Sequence, residues 1–405
     1  MKLLLCALLF IGLSARAQDH RFVALDSFLL AANKNQWVAG NTAIVMKEGK
    51  IVFEKAYGYR DREAQVPMKK DDIFRIASMT KPVVTLAAMI LVEQGKLSLD
   101  DELWKYIPEF KNPQILRSYD QARNTWQSEA SDHQITIRQL MTHTSGIGSG
   151  QDDRIVGALY SKNGFRALMF ADSIDLATAM KKMATLPLAV KPGTKFHYGS
   201  SPDVIGRIVE IVSGMRLDQF VKHHILDPLK MKDTYFFMPE DKKDRLAVLY
   251  SEMQSSQLTR IPQGFQGYNI NYPISGPKMF FSGAGGMTST AQDYARFLQM
   301  ILNGGILDGN RVLKAETIEL MTKNQIASLS LGNSNKFGLG FEIESRQSPP
   351  RGASIGKLSW GGALNTTFWI DPKRKSLAIL MSQVYPAIHQ RDLYAGFEKF
   401  VNQAF

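Results

Sequence analysis

Residues 42–59, TAIVMKEGKIVFEKAYGY, place two short runs of β-branched and aromatic residues on either side of Lys47-Glu48-Gly49-Lys50. This pattern predicts a β-hairpin. The far end of the chain repeats it in NTTFWIDPKRKSLAILMSQV, Asn365 to Val384: a strand, a turn at Asp371-Pro372-Lys373-Arg374, and a second strand. An amphipathic helix over Ile388 to Ala404 follows. Between roughly 84 and 230 the period is helical, in VVTLAAMILVEQG, TIRQLMTH, LATAMKKMATL, DVIGRIVEIVSG and LDQFVKHHIL, with Gly95 and Gly214 placed as C-caps. Strands at both ends with helices between them predict an α/β (α+β) domain, an antiparallel sheet flanked by helices and assembled from both termini. Residues 18–100 and 270–405 are assigned to that domain and 101–269 to an inserted, mainly helical one. No internal repeat or low-complexity tract interrupts the chain.

The first residues change this picture at one end. MKLLLCALLFIGLSARAQ has a positive start at Lys2, an apolar run from Leu3 to Leu13, and the small-x-small pattern Ala15-Arg16-Ala17. It reads as a signal peptide over 1–17, too short in its apolar run to span a bilayer, so the mature protein is expected in the bacterial periplasm or secreted, with no membrane span. The single cysteine, Cys6, lies in that segment, which leaves the remainder without disulfides, a thiolate nucleophile or Cys-ligated metal. The net charge of +11 is scattered over the chain without a run of five basic residues or interleaved aromatics, as expected of a solvated basic surface and not of a nucleic-acid groove.

Candidate chemistry begins at FRIASMTKP. Ser78 and Lys81 stand three residues apart at the head of an apolar helix, on one face of it, with Pro82 marking the first turn. A hydroxyl is a poor nucleophile until a base takes its proton. A lysine serves only when neutral, which requires its pKa to fall from ~10.4 toward 7 at a cost of about 4 to 5 kcal/mol, supplied by burial or neighbouring cations. A helix start adds the Ser78 backbone N–H and the positive end of the macrodipole. Ser-x-x-Lys alone is weak, because an N-cap serine and a solvated lysine have the same spacing.

Two further stretches bear on it. In KPGTKFHYGSSPDVIGRIVEIVSG, Tyr198 follows a Pro-Gly turn and precedes a periodic helix capped by Ser200 or Ser201. A phenol held there is able to share proton transfer with a lysine; a buried, satisfied tyrosine is the plain alternative. In LSWGGALNTTFWIDP, Gly361 and Gly362 open a strand and allow close backbone approach, as an oxyanion-binding amide needs or as a bulge needs. No serine sits in G-x-S-x-G, no His-Glu-x-x-His is present, and adjacent His223-His224 diverge by about 100° on a helix, so neither an α/β-hydrolase triad nor a metal site is expected. Gly283, Gly285 and Gly286 do not fit a phosphate-binding fingerprint.

Taken in order, AYGYRD, FRIASMTKP, LMTHTSGI, YGSSPDVIGRIVEIVSG, GAGGMTSTAQDYARF and WGGALNTTFWIDP resemble the serine β-lactamase and penicillin-binding-protein superfamily. The likeness is greatest to its class C-like branch and to family VIII carboxylesterases, and runs over nearly the whole chain beyond residue 17. It implies the β-lactamase-like fold, Ser78 as acylated nucleophile, Lys81 as its proton acceptor, and Tyr198 as the group that protonates the leaving group and later activates water. It also implies an oxyanion hole from the amides of Ser78 and Ala363, with no metal or cofactor.

Two departures bear on substrate. The lactamase Tyr-x-Asn has Ser200 in its third position here, and the lactamase Lys-Thr-Gly is replaced by Trp360-Gly361-Gly362. The missing lysine removes a carboxylate partner of order 1.5 to 3 kcal/mol. Lys357, an odd number of residues away on a strand, is expected to face away from Trp360. Ser200, Trp360, Gly361 and Gly362 are thus expected to line the substrate site of a carboxylesterase for small, short-chain esters. The alternatives are a β-lactamase, a D,D-peptidase or D-aminopeptidase, or an amide hydrolase, and, in a different class, a non-catalytic penicillin-binding-like protein. Cleft walls are expected from about 148–195 and 240–282, where the likeness is weakest.

Overall fold

The computed structural model describes residues 20–150, 154–165, 173–252, 257–264 and 269–405; the leader read over 1–17, with Cys6, lies outside them. An eight-stranded antiparallel sheet runs in the order β12-β13-β14-β15-β16-β1-β2-β3. Its strands are β1 (Gly40–Lys47), β2 (Lys50–Asp61), β3 (Val66–Pro67), β12 (Lys336–Phe337), β13 (Glu342–Ile343), β14 (Leu358–Gly362), β15 (Thr366–Asp371) and β16 (Ser376–Met381). The first and last hairpins meet at its centre, where β1 pairs with β16 from Thr42↔Met381 to Lys47↔Ser376. The β1–β2 turn holds Glu48 at φ 50° and Gly49 at φ 76°. Two left-handed central residues match the twist of the strands they join.

Alternation along the central strands sends side chains to two different cores. Ile44, Phe368, Ile370, Leu377, Ile379 and Met381 face α2 (Thr80–Glu93) and α8 (Ala291–Leu302). Ala43, Val45, Trp369, Ala378 and Leu380 face α1 (Val23–Lys34) and α10 (Gln390–Gln403). Both faces being covered, β16 is buried at every position, which is why SLAILM carries an unbroken apolar run. Helix α2 is buried from Thr80 to Leu91 and so is apolar on every face apart from Thr80, Lys81 and Thr85. It packs against α6 (Ser201–Ser213), which ends in Gly214 at φ 70°. The core on this side continues from the sheet through α2 and α6 to α3 (Ile137–Met141), α4 (Arg154–Lys162), α5 (Leu176–Ala184) and α7 (Leu217–Val221), while α9 (Ala315–Thr322) closes it near β12.

The described residues also hold four small two-stranded pairs: β4 (Phe74–Arg75) with β9 (Thr288–Ser289), β5 (Gln114–Asp120) with β6 (Thr125–Ala130), β7 (Tyr250–Ser251) with β8 (Thr259–Arg260), and β10 (Ile306–Leu307) with β11 (Asn310–Arg311). The helical reading of 84–230 passes over the β5–β6 hairpin, whose strands are mostly polar and exposed. Its turn is local chemistry: Asp120 Oδ1 accepts the amides of Ala122 at 2.9 Å and Arg123 at 3.1 Å. No helix among the described residues is long and apolar enough to cross a membrane.

Phe368 sits in β15 with no exposed surface, between Tyr294 of α8 and Phe341. Phe368→Ala is expected to lower the unfolding free energy by about 3 to 5 kcal/mol, read from urea denaturation at neutral pH.

Candidate active site

Ser78 is delivered by a short rigid lead. Strand β4 pairs Phe74 with Ser289 and Arg75 with Thr288, and Ile76 donates to Met287 O at 3.0 Å. The buried Gln383 side chain brackets Arg75, accepting its amide at 3.0 Å and donating to its carbonyl at 3.1 Å. The Arg75 guanidinium is wholly buried without a carboxylate, bonded to the carbonyls of Tyr272, Ala247 and Ile270, and burial pushes its pKa down to about 10. Ala77 then takes φ 43°, a left-handed value of order 1 kcal/mol or more in cost for a residue with a Cβ. The turn Ala77–Met79 feeds α2 and leaves Ser78 at its foot, 6% exposed.

One helical turn on, Lys81 is 4% exposed. Its Nζ lies 3.0 Å from Ser78 Oγ, 2.6 Å from Ala284 O and 4.6 Å above the Tyr198 ring. From the other side, the Tyr198 phenol donates to Ser78 Oγ at 2.7 Å. A hydroxyl with an amine and a phenol both in reach is equipped to lose and regain a proton through two different groups.

Strand β14 supplies the third wall. A Cβ on Gly362 would lie 2.3 Å from Ile76 O and 2.4 Å from Thr366 Oγ1, so only glycine lets the strand pass this close to the Ser78 lead. The Trp360 ring packs at 5.4 Å from Tyr198 and 5.2 Å from Phe337. Ser78, Tyr198, Trp360, Gly361, Gly362 and Ala363 border one open groove of about 740 Å³, whose far end carries Asn333, Asn335, Glu342, Arg346 and residues at the start of α10. Lys357, just before β14, forms an ion pair with Glu398 of α10, and both also border this groove. Among the described residues no group of three or more His, Cys, Asp or Glu is arranged to hold a metal.

The beta-lactamase family model matches residues 25–399. The chain belongs to the beta-lactamase family. Among its relatives, an uncharacterized protein of Mycobacterium tuberculosis is 32% identical over 86% of each chain. Esterase EstB of Burkholderia gladioli is 29% identical, covering 91% of this chain and 94% of its own. Lovastatin esterase of Penicillium rubens is 28% identical, over 80% and 84%. Of solved structures, EstCE1, described as a hydrolase with promiscuous acyltransferase activity, superposes with TM-score 0.81 over 96% of this chain and 100% of its own, at 24% identity. Simvastatin synthase LovD of Aspergillus terreus gives 0.77 over 94% and 98%, at 23%. These two show the fold alone: a mixed α/β protein with a large antiparallel sheet.

In this family member Ser200 stands apart from the other expected site residues. It occupies the N-cap position of α6 without a side-chain capping bond, and borders a separate small cavity with Asn163, Lys182, Asp203 and Phe280. Ser201 makes no cap either; its hydroxyl pairs with Ser145 Oγ at 2.8 Å.

Two side chains near Ser78 escape the sequence reading. Asp203, in the first turn of α6, accepts the Ala284 amide at 2.9 Å and the Ser282 hydroxyl at 2.8 Å, so it holds the loop whose carbonyl receives Lys81. Burial raises its pKa, against those hydrogen bonds and the Lys81 charge. His143 is buried, lies 4.6 Å from the Tyr198 ring, and accepts the Gly199 amide through Nδ1 at 3.3 Å. Desolvation, then the charges of Lys81 and His197, hold its pKa well below 6.5. Their visible signals were an aspartate in a first helical turn and the histidine of LMTHTSGI, both ordinary in isolation.

The native state therefore binds fewer protons at His143 than the unfolded chain does once the pH drops through about 6.5. This contribution is complete above that value and declines below it. Urea unfolding of the wild type is expected to weaken from about pH 6.5 to 5, and to weaken less for His143→Gln.

Proposed function

We propose that this beta-lactamase family member is a serine carboxylesterase that passes through an acyl-Ser78 intermediate. The reading rests on one observation: Ser78 Oγ has Lys81 Nζ at 3.0 Å and the Tyr198 phenol at 2.7 Å, at the head of a groove walled by Trp360. In the proposed cycle Lys81 reacts in its uncharged form, reached by loss of one ammonium proton, in which it donates one N–H to Ala284 O and offers its lone pair to the Ser78 proton. Oγ bonds to the ester carbonyl carbon, and the oxyanion is taken up by the amides of Ser78 and Ala363. As the C–O bond to the leaving group breaks, Tyr198 gives the departing alkoxide its proton and is reprotonated by Lys81. Tyr198 then passes its proton to neutral Lys81 and takes one from water as the water attacks the acyl-enzyme; the carbonyl C–Oγ bond breaks, Oγ recovers a proton from Lys81, and the acid leaves.

Substrate preference follows from the β14 wall. An aromatic ring at Trp360, with Lys357 already neutralised by Glu398, suits an uncharged short-chain acyl or alkyl group better than a carboxylate beside the reacting bond. The names of EstB and lovastatin esterase, relatives over most of their length, support ester chemistry. The second reading, cleavage of β-lactams or other amides, is favoured by the same Ser78, Lys81 and Tyr198 arrangement. We also propose export, on the charged start, apolar run and Ala15-Arg16-Ala17 of the first residues.

With p-nitrophenyl esters from acetate to octanoate, Ser78→Ala is expected to lower kcat/KM by about 10⁴-fold or more, and short acyl chains to be preferred. Retention of full activity by Ser78→Ala would sink the mechanism. Ser78-dependent nitrocefin turnover exceeding ester turnover would shift the reading to a lactamase, and no turnover of either to a binding protein. In a bacterial host, intact mass of the purified protein is expected to show Gln18 as the first residue; a chain retaining 1–17 would refute export.

A further inference from the structure

His143 grips the chain on both sides of Tyr198. Its carbonyl accepts the His197 amide at 2.7 Å, and its imidazole Nδ1 accepts the Gly199 amide at 3.3 Å. The neighbouring segment continues the grip, since Ser200 N–H reaches Gly148 O at 3.1 Å. A Cβ at Gly199 would lie 2.0 Å from Ile147 O, so residues 143–148 and 197–200 run too close for any other residue there. His143 is 2% exposed, adopts φ 54°, and is enclosed by the rings of Phe196, Tyr198 and Phe337. The charges that act on it, Lys81 and His197, are both basic, and each opposes a proton on the ring. A nonpolar side chain would fill this aromatic niche as well. What the imidazole adds is an acceptor for the Gly199 amide, the one that follows Tyr198.

We propose that His143 is a positioning residue for Tyr198: as neutral imidazole with its proton on Nε2, it fixes the Gly199 amide and thereby aims the phenol at Ser78 Oγ. The inference rests on the reading of Ser78 and Tyr198 as the reacting pair. It assigns His143 no contact with substrate. Phenol displacement of about 1 Å is enough to slow a proton transfer of this kind by up to about a hundredfold. Binding of the ester, which involves the β14 wall, is left as it was.

The test compares three substitutions using p-nitrophenyl acetate. Asparagine places Oδ1 near the position of Nδ1; glutamine and leucine do not. His143→Gln and His143→Leu are expected to lower kcat about tenfold or more with KM within about twofold, and His143→Asn to stay within about threefold of wild type. In a Tyr198→Phe background, His143→Gln is expected to add no further loss, because its effect runs through the phenol. Active sites are counted by fluorophosphonate labelling, so that kcat refers to folded enzyme. An Asn variant as slow as Gln, a loss carried by KM, or additive losses in the Tyr198→Phe background would each overturn the proposal. For variants that do not fold, long-range ¹H–¹⁵N spectra of the wild type decide: Nε2–H with bare Nδ1 is expected, and a proton on Nδ1 refutes it. Full activity in Ser78→Ala would instead remove the reading beneath it, an outcome these measurements keep separate.

Discussion

The site depends on a backbone contact that contains no functional side chain. Strand β14 passes the carbonyl of Ile76 so closely that Gly362 has no room for a Cβ. This brings the sheet against the residue preceding Ala77, and so against the turn carrying Ser78. The opposite constraint comes from α8, where the Tyr294 phenol donates to Met79 O at 2.8 Å, and from Met287, whose amide donates to Thr80 Oγ1 at 3.1 Å. The foot of α2 is held between sheet and loop, and Ala77 keeps its left-handed conformation because both sides leave it no alternative.

Around this clamp the polar groups form a nested arrangement. Asp203 fixes the 282–284 loop, the loop carbonyl receives Lys81, and Lys81 and Tyr198 meet at Ser78. The groups in the series come from four stretches of chain: the head of α2, the loop before α6, α6 itself, and the segment before β9. A buried lysine and a buried aspartate are costly apart; bonding to the two backbone groups of Ala284, one at its carbonyl and one at its N–H, lets each be satisfied without direct pairing.

Much of this was legible in the sequence where burial and periodicity coincide. The two terminal hairpins, α2, α6 and α10 stand where the apolar spacing predicts them, because each buries a continuous stripe or face. The β5–β6 hairpin was hidden because its strands lie largely in solvent and carry no alternating apolar signal. The pairs β4–β9 and β12–β13 are two residues long, too short for any period. At the site, Ser78, Lys81, Tyr198 and Trp360 were readable from spacing and resemblance, whereas Asp203 and His143 matter through partners 81 and 56 residues away. The glycines of Trp360-Gly361-Gly362 suggested close approach to a ligand; for Gly362 the approach is to the chain's own Ile76 carbonyl. Ser200, placed with the substrate site by its motif position, stands at the N-cap of α6 and borders a different, smaller cavity.

The pairing of β1 with β16 has a consequence for how the molecule is made. Central neighbours in the sheet are separated by more than three hundred residues, so the first hairpin to leave the ribosome waits, with one edge unpaired, for the last one. Until then the apolar face of β1 and the largely apolar α2 have no sheet to cover them. Such a chain stays open for much of its synthesis and closes in a late step, so its folding rate is set by how quickly two distant ends find one another.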